Sequence, residues 1–124
     1  MELEVVRHLA RSALQNLEAH RRRIDDLNVY PVPDGDTGTN LVLTLRSIVE
    51  ALDASSAADS EAVAKDVTRA ALMGARGNSG VIFSQIVRGF VEVLGEHEGV
   101  SAALLSRAFR GAMRAKRCLA VKAM

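Results

Sequence analysis

The chain has 124 residues and a formal net charge of +1, with 16 basic and 15 acidic residues. This length suits one domain with its own hydrophobic core, and the near-neutral charge argues against a nucleic-acid-binding surface. Aromatic residues make up 3% of a composition that is 48% hydrophobic, so small aliphatic side chains must fill the interior. Such a composition favours packed helices over a β-sandwich. With one cysteine and no signal peptide or membrane-spanning run in the sequence, we expect a cytoplasmic protein.

Apolar residues recur at three- and four-residue steps through most of the chain, which is the spacing of amphipathic helices. The pattern predicts an all-α antiparallel bundle of about five helices, with residues 1–124 forming one domain. Ser60 is the expected N-cap of the third helix, and Asn78 or Ser79 that of the fourth. The predicted helices run from Leu3 to about Arg23, from Thr39 to Leu52, from Glu61 to about Ala75, from the Asn78–Ser79 cap through Leu94, and from near Ser101 towards Val121.

The segment between the first two helices, Asn28 to Asn40, has an unusual composition. It holds the only two prolines of the chain, which fix φ and prevent helix formation just before Asp34-Gly35-Asp36. Two carboxylates separated by one glycine in a turning segment can converge on one hard cation such as Mg²⁺.

Hydroxyl and amide side chains follow these carboxylates at the start of the second helix, namely Thr37, Thr39 and Asn40. A loop of backbone N–H groups that ends at a helix N-terminus is a natural binding place for phosphate. The residues therefore predict a Mg²⁺–phosphate loop. The alternative is an Asx-type turn, in which the Asp and Thr side chains only satisfy nearby backbone groups.

A second glycine-rich segment, Gly74 to Gly80, separates the third and fourth helices. It also offers N–H groups and a helix dipole to an anion, although it matches neither a GxxxxGK[ST] loop nor a GxGxxG fingerprint after a strand. An ordinary helix–helix turn is the alternative. In an antiparallel bundle the loops before the second and fourth helices lie at the same end. Their convergence predicts a nucleotide held by Mg²⁺ and backbone amides.

Two strings carry a family resemblance: Leu27 to Asn40 (LNVYPVPDGDTGTN) and Leu72 to Ile82 (LMGARGNSGVI). Over roughly Ile24 to Phe90 the chain resembles the N-terminal nucleotide-binding domain of bacterial fatty acid kinase, in the dihydroxyacetone kinase L-subunit (DAK2) superfamily. The resemblance implies an all-helical antiparallel barrel that binds Mg²⁺ with ATP or ADP at one end. It also implies transfer of the γ-phosphoryl group to the carboxylate of a fatty acid, which a DegV-like lipid-binding partner protein presents.

The resemblance also assigns roles to single residues. Asp34 and Asp36 would hold magnesium, and Asn28 is a third candidate ligand because the dihydroxyacetone kinase branch has an Asp near its place, one residue out of register. No catalytic residue is expected beyond the metal and nucleotide ligands. The residues expected near the nucleotide are Thr37, Gly38, Thr39 and Asn40 in the first loop and Gly77, Asn78, Ser79 and Gly80 in the second.

Similar proteins continue beyond the position of Met124 with further helices and another glycine-rich loop. We therefore expect a partial domain, either a fragment or a shortened product that completes its barrel as a homo-oligomer, and weak or absent kinase activity of this chain alone. The alternative functions are a dihydroxyacetone or glycerone kinase subunit, a non-catalytic nucleotide-binding module and a helical oligomerisation module.

Overall fold

The computed structural model describes residues 3–27, 35–56, 59–96 and 101–123. These ranges form five α-helices and contain no strand, which confirms the predicted all-α fold. None of the helices within these ranges is long and apolar enough to span a bilayer. The helices are α1 (Leu3–Leu27), α2 (Thr37–Ala54), α3 (Ser60–Gly74), α4 (Gly77–Gly95) and α5 (Ala102–Ala123).

Each helix packs against the next one along the chain, and α2 also contacts α4. The core is aliphatic, as the composition predicts, and is formed by buried residues of α2 to α5 that include Leu52, Val63, Ala71, Leu94 and Ala108. None of the residues of α1 is buried. This helix instead lays a stripe of half-buried residues against the core, namely Leu3, Val6, Ala10, Leu14 and Leu17. It is therefore an outer helix held mainly by α2.

Polar contacts fix α1 antiparallel to α2. Near the start of α1, the Arg7 guanidinium donates hydrogen bonds of 2.8 Å to the carbonyl oxygens of Leu52 and Ser55, at the C-terminal end of α2. Further along, Glu18 pairs with Arg46 at 2.7 Å. The antiparallel arrangement places the last turns of α1 beside the first turn of α2.

The start of α2 lies at Thr37, two residues before the predicted Thr39, and the N-caps of α3 and α4 also differ from the sequence-based prediction. Asp59 caps α3, because its Oδ1 accepts a 2.8 Å hydrogen bond from the Ala62 N–H, while Ser60 is the first helical residue. The α4 helix begins at Gly77 rather than after an Asn78 or Ser79 cap. Gly77 has a positive φ of 65°, a conformation open to glycine without strain, so the helix begins before both of the predicted cap residues.

Candidate functional site

The first predicted loop enters the described structure at Gly35 and leads directly into α2. Gly35 has φ 67°, in the left-handed region, and Asp36 takes the N-cap position of α2. Asp is one of the strongest N-capping residues, yet the Asp36 side chain makes no capping hydrogen bond to the described first turn of α2. Within the described residues its carboxylate therefore does not cap the helix. Asn28 and Asp34, the other two predicted metal ligands, lie outside the described residues.

The cap of α2 comes instead from Asp25, in the last turn of α1. Its Oδ1 accepts a 3.0 Å hydrogen bond from the Thr39 N–H, and its Oδ2 accepts one of 2.7 Å from the Thr39 hydroxyl. The Gly38 N–H also hydrogen-bonds this carboxylate. Because Thr37 is the first helical residue, these are the second and third N–H groups of α2, which an N-cap side chain normally binds.

The hydrogen bonds hold Asp25 in its ionised form. Burial raises the pKa of the Asp25 carboxyl, but the hydrogen bonds from Thr39 and Gly38, together with the charge of Arg21, outweigh that effect and leave the pKa below its ordinary value of 3.8. A full negative charge thus sits at the positive end of the α2 dipole at neutral pH. A phosphate at the same N–H groups would have to displace it.

Gly38 allows this close contact between α1 and α2. A Cβ added to Gly38 would lie 2.5 Å from the carbonyl oxygen of Arg21 and 3.1 Å from Oδ1 of Asp25. A side chain there would push the helices apart and break the Asp25 cap. Gly38 and Thr39, both predicted near the nucleotide, therefore face α1 in this structure.

The second glycine-rich segment packs along one face of α2. A Cβ added to any of its three glycines would clash with an α2 side chain: Gly74 with Ser47, Gly77 with Asn40 and Gly80 with Thr44. The three α2 residues share a face, since they stand at helical spacings of three and four. The glycines thus let the chain approach α2 closely, which a simple surface turn would not require.

The Thr44 hydroxyl group connects α2 to the start of α4. The side chain is fully buried, donates a 2.8 Å hydrogen bond to the Asn40 carbonyl oxygen and accepts one of 3.1 Å from the Arg76 N–H. Arg76 is the N-cap residue of α4, so this bond fixes the start of α4 beside the first turns of α2. The starts of α2 and α4 therefore lie together at one end of the bundle, as the antiparallel arrangement predicts.

The N-terminus of α4 is open, unlike that of α2. Arg76 has an extended backbone and makes no side-chain capping bond within the described residues around α4. Gly77 and Asn78 are exposed and Ser79 is half-buried, whereas the Gly80 N–H is already bonded to the Arg76 carbonyl oxygen. The N–H groups of Gly77, Asn78 and Ser79 can thus bind an anion without displacing a side-chain cap.

The described donors fit a Mg²⁺–phosphate group. The part of the chain that the structure describes holds no cluster of three or more His, Cys, Asp or Glu residues that could hold a metal alone. Mg²⁺ at phosphates, however, uses one or two carboxylates and completes its octahedron with phosphate oxygens and water. The carboxylate of Asp36, which makes no capping bond to the described first turn of α2, suits that role, and the Asn40 amide lies beside Gly77.

Sequence reasoning missed Asp25 and Thr44. Asp25 was overlooked because the first helix was predicted to end near Arg23, which left Asp25 in a connection. For Thr44 a signal existed: a Thr stands within the apolar run Leu41-Val-Leu-Thr-Leu45, on the buried side of the helix and four residues after Asn40. A buried hydroxyl in such a run requires a hydrogen-bond partner.

Comparison with known proteins agrees with this architecture. An uncharacterized protein of Staphylococcus saprophyticus is 47% identical over 96 residues, which are 77% of this chain and 17% of that protein. Uncharacterized proteins of Staphylococcus aureus strains USA300 and MRSA252 are each 44% identical over 96 residues, 77% of this chain and 18% of theirs. The chain thus spans less than a fifth of the length of these relatives. The family model of the DAK2 domain matches residues 31–122, so the protein belongs to the DAK2 domain family, a kinase-related family that binds ADP or ATP.

Proposed function

We propose that this chain is the Mg²⁺–ATP-binding domain of a cytoplasmic kinase that phosphorylates fatty acids. In this proposal residues 1–124 act as one nucleotide-binding domain, a DegV-like lipid-binding protein presents the fatty acid, and the product is an acyl phosphate. Membership of the DAK2 domain family supports the kinase class. The fatty acid and the partner protein come from the motif resemblance of the two loops.

The observation that carries the proposal is the open N-terminus of α4 beside the start of α2. Asn40 lies against Gly77, and the Thr44 hydroxyl accepts a hydrogen bond from the Arg76 N–H, so the starts of α2 and α4 are adjacent. One helix start there is capped by the carboxylate of Asp25, and the other has no side-chain cap among the described residues. In the proposal a nucleotide would place its phosphates at the start of α4 and its metal at the carboxylate of Asp36.

Each residue then has a binding or positioning task. Asp34 and Asp36, with Asn28 as a third candidate, hold the metal, while the N–H groups of Gly77, Asn78 and Ser79 bind phosphate oxygens. Bound Mg²⁺ supplies neutralisation of the charge on the transferred phosphoryl group. A fatty acid carboxylate is ionised at neutral pH, so the protein needs no general base to create the nucleophile.

Thermal unfolding with and without Mg²⁺ and ADP tests the nucleotide site. A ligand at a hundred times its Kd should stabilise the domain by about 2.7 kcal/mol. Asp36→Asn should remove the Mg²⁺-dependent part of this shift. Asp26→Asn is a matched control on the exposed side of α1 and should retain it. An equal Mg²⁺-dependent shift in the Asp36 variant would contradict the assignment.

The phosphoryl acceptor needs its own experiment. The chain would be mixed with ATP, Mg²⁺ and a fatty-acid-loaded DegV-like protein, and the products trapped with hydroxylamine. Acyl phosphates form hydroxamates under these conditions, whereas phosphate esters of dihydroxyacetone do not. Hydroxamate formation supports a fatty acid acceptor. Transfer to dihydroxyacetone without hydroxamate would favour the glycerone kinase alternative, and nucleotide binding without either product would favour a binding module.

A further inference from the structure

Two aspartates lie at the start of α2, and the one that caps the helix is not the one at the N-cap position. Asp36 occupies the N-cap position but does not cap, while Asp25 caps from the neighbouring helix. We propose that Asp25 is a positioning residue that caps α2 from α1 and thereby keeps the carboxylate of Asp36 available for a divalent cation. The cation-binding part of this inference rests on the proposed function.

A second helix of the same chain shows what an N-cap Asp does when nothing competes with it. Asp59 precedes α3 with an extended backbone, φ −131° and ψ 166°, and its side chain accepts a hydrogen bond from the Ala62 N–H, three residues on. Asp36 precedes α2 with φ −125° and ψ 10°, outside the extended region, and makes no such bond to the described helix start. The difference therefore lies in the surroundings and not in the residue type.

The surroundings differ because the relevant donors of α2 are already taken. Thr39 is the third residue of α2, as Ala62 is of α3, and its N–H corresponds to the one that Asp59 binds; in α2 it is bonded to Asp25 at 3.0 Å. The Thr39 hydroxyl adds a second bond of 2.7 Å to the same carboxylate. Because Asp25 accepts from the N–H groups of Gly38 and Thr39, the two donors that an N-cap side chain normally binds are already occupied.

The cap by Asp25 is built into the crossing of the two helices. The missing side chain of Gly38 lets the α1 backbone come close, and Arg21, one turn earlier on α1, stabilises the negative charge. When Asp25 is removed, the donors at Gly38 and Thr39 become free and Asp36 is the nearest acceptor in sequence. Asp36 then turns towards the helix and away from the cation.

A double-mutant cycle tests this exchange without any metal or nucleotide. The free energy of unfolding would be measured in urea for the full chain, for Asp25→Ala, for Asp36→Ala and for both together. Asp36→Ala should change the folding equilibrium little in the parent chain. In the Asp25→Ala background Asp36→Ala should lower the folding equilibrium constant roughly fivefold, because there it removes the side chain that caps α2. Equal effects of Asp36→Ala in both backgrounds would overturn the proposal.

The second measurement is the affinity for Mn²⁺ in the presence of ADP. The electron paramagnetic resonance signal of free Mn²⁺ gives the concentration of unbound ion. Asp25→Ala should weaken Mn²⁺ binding about tenfold, as expected for loss of a group that orients a ligand. Asp25→Ala should leave the affinity for ADP without metal unchanged. Asp25→Asn should weaken Mn²⁺ binding less than Asp25→Ala, because the amide keeps one acceptor oxygen. Asp26→Asn should bind Mn²⁺ as tightly as the parent chain.

The two measurements separate the two hypotheses. If the parent chain binds no Mn²⁺ with ADP, the proposed function fails, and the cycle alone decides whether Asp25 displaces Asp36 from the cap. If Mn²⁺ binds but Asp25→Ala leaves its affinity unchanged, the positioning role is wrong and the proposed function stands.

Discussion

The hydroxyl of Thr44 accepts a hydrogen bond of 3.1 Å from the backbone N–H of Arg76, across 32 residues of sequence. The same hydroxyl donates to the Asn40 carbonyl oxygen within α2. One buried oxygen thus connects the helix that follows the first loop to the start of the helix that follows the second loop. The hydroxyl thus holds the start of α4 beside the first turns of α2.

Thr44→Val should destabilise the fold and loosen the start of α4. The substitution keeps the shape of the side chain but leaves the half-buried Arg76 N–H without its acceptor, which costs about 1–3 kcal/mol. Thr44→Ser keeps the hydroxyl and is the matched control. Urea unfolding measures the loss, and a smaller loss in Thr44→Val than in Thr44→Ser would show that the methyl group and not the hydrogen bond matters.

Gly80→Ala should also destabilise the fold, because the new Cβ would lie 2.5 Å from the Thr44 hydroxyl oxygen. Overpacking of this kind costs about 1–3 kcal/mol. Combining it with Thr44→Ala removes the clashing atom, so Gly80→Ala should be less damaging in that background. Thermal unfolding of the four proteins gives the coupling, and strict additivity would contradict the contact.

The stability of the fold should decrease in acid partly through Asp25. Its pKa is lower in the folded chain than the ordinary value of 3.8, so it contributes stability above that value and loses it as the pH falls through 3.8 towards the folded pKa. Asp25→Asn should therefore flatten this part of the acid dependence. Urea midpoints between about pH 6 and pH 2.5 measure it, with Asp26→Asn expected to follow the parent curve.

Arg7→Ala should cost more stability than Arg11→Ala, although both arginines stand on α1 and reach the end of α2. Arg7 donates to two backbone carbonyl oxygens, of Leu52 and Ser55, and charged hydrogen bonds of this kind contribute about 1.5–3 kcal/mol each. Arg11 makes an exposed ion pair with Asp53, for which less than about 1 kcal/mol is expected. Chemical unfolding in 0.1 M and 1 M salt would separate them, and a larger loss for Arg11→Ala would refute the ranking.

Much of the fold was predictable from local pattern. The three- and four-residue spacing of apolar side chains gave five helices, since a helix that buries one face must repeat with that period. The glycines of the second loop marked a place where the backbone must turn or come close to another element. Helix starts were less predictable, because Asp59 and Ser60 are both good caps and only the backbone path chooses between them.

The helices, the two glycine-containing segments and the family could be predicted from the residues alone, because these depend on local periodicity and on short motifs. Which polar groups pair across helices depends on the packing of the helices and could not be predicted in this way. The Asp25 cap needs the close approach of α1 and α2 at Gly38, and the Thr44 bond needs α4 to start against α2. Such pairs join residues 14 and 32 positions apart, and their geometry follows from how closely the backbones pack. The spacing of residues along the chain does not specify how closely two helices approach each other.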